Sequence, residues 1–166
     1  MALDRTNMVS LLDMGTLMGG KSADIQEMGD GYKEITEDWG PDIDTTQYVN
    51  MKSKSSTLKG YDLSITPERE HIKDSMQTAI NNLFKKFPTG DGCNTYYYRF
   101  YKTDITENSG ECIRVPVIVA PSSTGGEGGG VLNSGIQIKG NGDVELGTIT
   151  ITKSGPSVSY AWAAKA

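Results

Sequence analysis

Two cysteines and one histidine are the only thiols and imidazole in this 166-residue chain. Cys93 and Cys112 form no C-x-x-C pair, so a zinc site and a dithiol redox centre both lack the ligand spacing they need. The two cysteines flank segments Thr95–Lys102 and Cys112–Val119, which read as a hairpin. With its turn centred near Asn108, facing residues sum to about 215, which puts Cys112 opposite Thr103. Cys93 then lies roughly 20–30 Å away along the ladder, whereas a disulfide needs Cα atoms within about 7 Å. Two free thiols are expected, as in a reducing compartment. His71 has no histidine, cysteine or paired acid to work with, so neither a nucleophilic triad nor a metal set can be drawn, and no cofactor is expected.

Positive charge is also short. Sixteen basic residues face twenty-one acidic ones, for a net charge of −5 and a pI of about 4.9. Such a chain lacks the cationic surplus that grips nucleic acid by counterion release. No apolar run approaches the ~20 residues of a membrane helix. Met1 to Asp13 carries an early acid and no basic n-region, so no secretory signal is read there and a cytoplasmic product is expected. Apolar residues make up 36% of the chain and glycine contributes 20 positions, which predicts a modest core with long loops or arms.

What is present is mostly strand. Gln47–Lys52, Leu58–Ile65, Thr95–Lys102, Cys112–Val119, Val131–Lys139, Asp143–Thr152 and Ser157–Trp162 alternate in twos, with a weaker signal at Tyr32–Ile35. Thr95–Lys102 carries aromatic rings on both faces: Tyr96, Tyr98 and Phe100 on one, Tyr97 and Tyr101 on the other. In the following strand Ile113, Val115, Val117 and Val119 face inward. Pro116, which has no N–H to donate, predicts an edge strand or a bulge. Gly140-Asn141-Gly142 reads as a hairpin turn, and the apolar phase shift at Gly147 reads as a bulge. One helix is predicted, over residues 67–87. Thr66 would cap it and Pro67 open it. Ile72, Met76, Ile80, Leu83 and Phe87 would share its apolar face, and Pro88 with Gly90 would end it. Seven or eight strands and one helix make a mainly β chain: an antiparallel β-sandwich or barrel with one flanking α-helix.

Gly15-Thr16-Leu17-Met18-Gly19-Gly20-Lys21-Ser22 matches the phosphate-cradling pattern GxxxxGK[ST]. That chemistry needs a buried strand before the loop and a helix starting at Lys21. Gly29 and Gly31 cut the segment that follows, and no Walker B strand ends in aspartate. A nucleotide-binding enzyme is therefore the remote reading.

The termini and one loop suggest contacts with other chains. Residues 1–30 carry Met8, Leu11, Leu12 and other scattered apolar side chains with poor periodicity; an arm that docks on a neighbour and a short strand both fit. Trp39 and Pro41 lie in an acidic loop, where the indole either covers the core edge or anchors an interface. The chain divides into an N-terminal arm (1–30), a β-sandwich core (31–155) and a C-terminal strand or arm (156–166). Met8, Leu11, Leu12, Trp39, Pro41, Pro116 and Trp162 are the expected inter-subunit contacts.

The order of these features resembles the major tail (tail tube) proteins of long-tailed bacteriophages. The likeness is carried by the Gly29-Asp30-Gly31-Tyr32 start, the polar loop around Trp39 and the strand pair Gln47–Ile65. To these it adds the single helix, the Tyr96–Tyr101 strand and the Gly140–Thr152 segment with its Gly-Thr-Ile-Thr. It covers most of the chain and rests on pattern, not on a short diagnostic motif. It implies a non-enzymatic virion protein, assembled in the host cytoplasm, that forms hexameric rings stacked into a hollow tail tube. It also implies a tape measure inside, terminator and tip proteins at the ends, and DNA passing through the lumen without specific binding or any membrane anchor. Another ring-forming β-conduit subunit, of a secretion-type tube or a tail terminator, is the alternative.

Overall fold

A strand with large side chains on both faces must lie between two cores, and the fold is built around two such strands. A computed structural model describes residues 2–165; Met1 and Ala166, the outermost residues of the two expected arms, lie outside the described residues. The strands are β1 (Met8–Asp13), β2 (Ile25–Glu27), β3 (Asp42–Thr46), β4 (Ser55–Gly60), β5 (Ser64–Ile65) and β6 (Glu68–Glu70), followed by the helix α1 (Ser75–Lys86). After it come β7 (Asn94–Tyr101), β8 (Ile105–Thr106), β9 (Ser109–Gly125), β10 (Asn133–Gly140), β11 (Glu145–Ser154) and β12 (Ser157–Ala164). All pairings are antiparallel. The main sheet runs β12–β11–β9–β7–β1–β2, with β10 on β9 and β5 and β6 on β10; β3 and β4 pair only with each other.

Tyr97 and Val115, Val117 and Val119 point to the larger core, shared with Leu12, Ile136, Ile138 and the α1 residues Met76, Ile80 and Leu83. Tyr98, Phe100 and Cys112 point to the other, with Val9, Leu11 and Ile149, and with Tyr160 and Trp162 along its margin. The mainly β fold with one flanking helix is as expected, and so is the two-faced aromatic strand. Cys93 and Cys112 are both free and buried. Burial pushes the Cys112 thiol up to about 12, so it is inert at neutral pH.

Several local expectations are corrected. The helix begins at Ser75, not Pro67; Asp74 caps it by accepting the Gln77 N–H at 2.8 Å. Residues 68–70 are instead β6, because Arg69 alternates with two glutamates and its side chain is needed inside, whereas Ile72 and Phe87 stay exposed. The hairpin sum of 215 holds only at its tip, Ile105 with Gly110; a 3-10 turn at Lys102–Asp104 reduces it to 212, with Arg99 opposite Ile113.

Gly140-Asn141-Gly142 does not reverse the chain. β10 and β11 run one after the other along the same side of β9, and the glycines only jog the strand between Gly140, opposite Val117, and Glu145, opposite Arg114. That jog explains Pro116. β9 is neither an edge nor bulged there; the proline faces the gap between β10 and β11, where a ladder N–H has no acceptor, and its carbonyl takes the Asn141 N–H at 2.8 Å. At Gly147 the register with β9 is continuous, so there is no bulge. Gly147 points inward in phase with Ile149, and Val144 and Leu146 are simply exposed.

Candidate assembly surface

The ribbon formed by β3 and β4 is the feature a lone chain explains least. Residues 40–59 are exposed almost throughout, including Ile43, Leu58 and Val49, and Tyr48 at its tip is 64% exposed. A two-stranded hairpin is marginally stable by itself in water, and its unpaired edges invite another chain. Expected strand Gln47–Lys52 is in fact the tip turn, closed by the Met51 N–H on the Tyr48 carbonyl at 3.0 Å.

The ribbon's root is firmly held. Glu37 has a side chain only 4% exposed. Its carboxylate accepts the Tyr97 hydroxyl at 2.7 Å and the Trp39 indole N–H at 3.0 Å, and Arg99 lies 3.5 Å away. Burial, reinforced by the Glu37 charge, drives the Tyr97 phenol far above its ordinary range, so it remains a donor at any physiological pH. The Asp62 N–H donates to the Trp39 carbonyl at 2.8 Å, and Asp38 and Ser64 exchange both of their backbone hydrogen bonds.

A second surface lies where the sheet almost closes on itself. β2 and β12 are its two ends, and they approach without pairing; the Tyr160 hydroxyl reaches Glu27 at 3.4 Å. Beside this seam is a cleft of about 630 Å³, bordered by Asp24, Glu27, Asp30, Asp74 and Tyr160. Arg69, 1% exposed at its side chain, lies at its floor. The Arg69 guanidinium is paired with Asp74, donates to the Asp30 carbonyl at 3.1 Å and sits 5.5 Å from the Tyr32 ring centroid.

The seven residues expected to make contacts do not share one surface. Leu11 and Leu12 are 0% exposed, on opposite faces of β1, because residues 8–13 are not an arm but a strand between β7 and β2. They have no surface to offer a neighbour. Met8 is half-buried at the start of that strand. Trp39 packs on the margin of the larger core, and Pro41 is exposed beside it at the ribbon's root. Pro116 is half-buried at the jog. Trp162 lies along the smaller core, donating to the Cys112 carbonyl at 3.1 Å with the Arg114 guanidinium 4.0 Å from its ring. The sequence reading puts a strand pair at Gln47–Ile65, whereas the ribbon pairs Asp42–Thr46 with Ser55–Gly60. The one available signal was the run from Gln47 to Gly60, which has three lysines and no acid.

The phosphate-loop pattern is occupied from within. The buried Asp13 carboxylate accepts the N–H groups of Gly15, Thr16 and Asp24, at 3.0–3.2 Å, and the Thr16 hydroxyl at 2.6 Å. Two of the loop's N–H groups, those of Gly15 and Thr16, already hold a side chain, and among the described residues no helix starts at Lys21. His71 Nε2 meets the Ser134 hydroxyl, and no hydrogen bond joins its ring to a carboxylate among the described residues. No group of three metal-binding side chains occurs among the described residues, and no described helix is long and apolar enough to cross a membrane.

Comparison with protein families and with curated proteins gives no match. Solved structures do match. A chain from the tail of an empty gene transfer agent particle, obtained by helical refinement in C6 symmetry, superposes with a TM-score of 0.60 at 13% identity, over 87% of this chain and 98% of that one. A chain of the sheath/tube terminator of the contractile injection system PVC gives 0.55 at 7% identity, over 88% and 96%. One from the tube-terminating cap of the anti-feeding prophage gives 0.52 at 8%, over 88% and 91%. At these identities the likeness is one of fold. The protein thus has the fold of the tail components of virion-like particles, the fold that its resemblance to phage tail tube proteins implies.

Proposed function

We propose that the protein is a structural subunit of a phage-type tail tube, that it forms hexameric rings which stack into a hollow conduit for DNA, and that it has no enzymatic role. The observation that carries the reading is the projecting ribbon, on a fold otherwise shared with tail components. The apolar side chains Ile43, Tyr48, Val49 and Leu58 gain burial only when another chain covers them, at about 25 cal/mol per Å² of apolar area. Copies of the same chain are the economical partner, because a contact between two different surfaces of one subunit closes into rings or continues as a filament. The acidic balance suits a conduit: a wall short of lysine and arginine does not hold phosphates in place. Of the residues expected to make contacts, Pro41 and Trp39 at the ribbon root, Met8 and the β12 edge around Trp162 remain in this role. Tape-measure, terminator and tip proteins are the further partners, in a virion tail assembled in the host cytoplasm.

Likeness to the PVC terminator and the prophage cap favours one second reading, a ring that ends a tube and does not elongate. Negative-stain microscopy of the purified chain separates the two. Tubes of variable length are expected, and single rings would favour the terminator. A chain lacking residues 42–59, rejoined by a short glycine-serine turn, is expected to keep its fold by circular dichroism and to make no tubes. Normal tubes from that variant would remove the ribbon from the assembly mechanism.

A further inference from the structure

We infer that the basic tip of one copy's ribbon docks in the acidic cleft between α1 and the β2–β12 seam of a second copy. This rests on the self-assembling reading above and adds the surface that receives the arm.

Charge is the first argument. From Gln47 to Gly60 the ribbon carries Lys52, Lys54 and Lys59 and no acid. Among the described residues Lys52 and Lys54 make no ion pair, and Lys59 has only a loose 3.6 Å contact with Asp44. The cleft presents Asp24, Glu27 and Asp30, all exposed and none paired with a base among the described residues. Among the described residues lining the cleft Arg69 is the one cation, and it is neutralised by Asp74. A basic arm and an acidic recess on the same molecule attract each other between copies and hold like surfaces apart, which fixes both register and polarity.

Shape is the second argument. Two unpaired sheet ends meet at the seam, and the cleft beside them, at about 630 Å³, is large enough for several side chains. The ribbon tip supplies Tyr48 and Val49 together with the lysines. Tyrosine and valine can cover the seam while the ammonium groups reach the rim acids.

Position is the third argument. The ribbon leaves the body beside Gly140 and Asp143, where Trp39, Tyr61 and Asp62 gather. The cleft lies six residues from Gly140 along β10, at Ser134 opposite Arg69, and eight from Asp143 into β11, at Ile151 opposite Tyr160. Six strand residues span roughly 20 Å. Arm and recess are therefore separate surfaces, and their contact between copies is heterologous, the kind that propagates from ring to ring.

Disulfide trapping tests the contact. Cys93 and Cys112 are buried, so introduced thiols report cleanly. Ser53→Cys at the tip and Ala23→Cys at the cleft are made in separate full-length chains and mixed under mild oxidant. A disulfide-linked dimer of one chain of each kind is expected. A tip-to-tip dimer of the Ser53→Cys chain, or no mixed dimer while the same mixture forms tubes, overturns the docking and leaves the tube reading standing. Wild-type chain that shows neither rings nor tubes overturns the tube reading, and the absence of a mixed dimer as well overturns both. Charge exchange provides the second measurement. Lys52→Glu with Lys54→Glu is expected to raise the concentration needed for assembly at least about tenfold, since juxtaposed like charges are strongly unfavourable. Adding Asp24→Lys and Asp30→Lys to that variant is expected to restore it. Assembly unaffected by the first pair, or not rescued by the second, overturns the docking.

Discussion

Asp74→Ala is expected to destabilise the chain by about 2–4 kcal/mol, a large share of the ~5–15 kcal/mol that holds a domain of this size together. Two losses combine. The helix cap goes, at about 1 kcal/mol, because the Gln77 N–H loses its acceptor. The larger loss is that Arg69, buried beneath the cleft, keeps its charge without its counter-ion. The rim of Asp74 is open to solvent, so the figure lies below that for a fully buried pair. Asp74→Ser keeps a cap and should show only the ion-pair part. Asp74→Ser combined with Arg69→Met should recover most of the stability, since an apolar replacement for a buried pair is often neutral. Urea midpoints measure all three, and an Asp74→Ala midpoint equal to wild type would refute the account.

The same carboxylate predicts an acid limb. Burial pushes its pKa up, but the Arg69 hydrogen bond, the Gln77 N–H and the Arg69 charge together outweigh burial and hold it below the ordinary carboxylate value. A carboxyl group depressed in the folded state contributes stability that is fully present above its unfolded pKa, about 3.9, and is lost as pH falls through the folded value. The stability gap between wild type and Asp74→Ser should therefore be constant from neutrality down to about pH 5 and close below pH 4.

Gly147→Ala has the second large effect, expected at about 1–3 kcal/mol or somewhat more. Its backbone needs no special angle; the constraint is room. A Cβ there would overlap the Ala163 carbonyl oxygen and the ring of Trp162. Either β12 moves away from β11 or the indole leaves the smaller core, where it also supports Arg114 and Tyr98. Fluorescence distinguishes this from general destabilisation. In a Trp39→Phe background the emission of Trp162 should shift to the red before any unfolding, and an unchanged spectrum with an unchanged melting temperature would show that the pocket has slack.

How much of this was legible depended on how each segment is buried. Strands with one apolar face, or with two faces of visible rhythm such as β7 and β9, could be read from residues 95–101 and 113–119. β1 could not: Val9 and Leu11 face one core and Leu12 the other, with Ser10 and Asp13 buried among them, so no alternation survives. The ribbon failed for the opposite reason, since strands exposed on both faces carry no apolar pattern at all. Gly-Asn-Gly looked like a reversal because its local chemistry favours one, and only the long-range pairing of β10 and β11 with β9 makes it a jog. Of the seven positions read as contacts, Leu11 and Leu12 are buried on the two faces of β1, whereas Pro41 is exposed. What the sequence did carry was a stretch, residues 47–60, with three lysines and no acid; the acidic cleft around Asp24, Glu27 and Asp30 became visible only once β2, α1 and β12 were brought together.

The place of β1 has a consequence for biosynthesis. Residues 8–13 pair with β2 nearby in the chain, but on their other edge with β7 at residues 94–101, which is synthesised much later. The nascent chain must emerge past residue 101 before β1 can join β7, so the β1–β2 pair cannot be built into the main sheet as it is made. Folding dominated by such distant pairings is slow, and throughout the delay the apolar side chains of β1 stay open to chaperones and to other nascent chains.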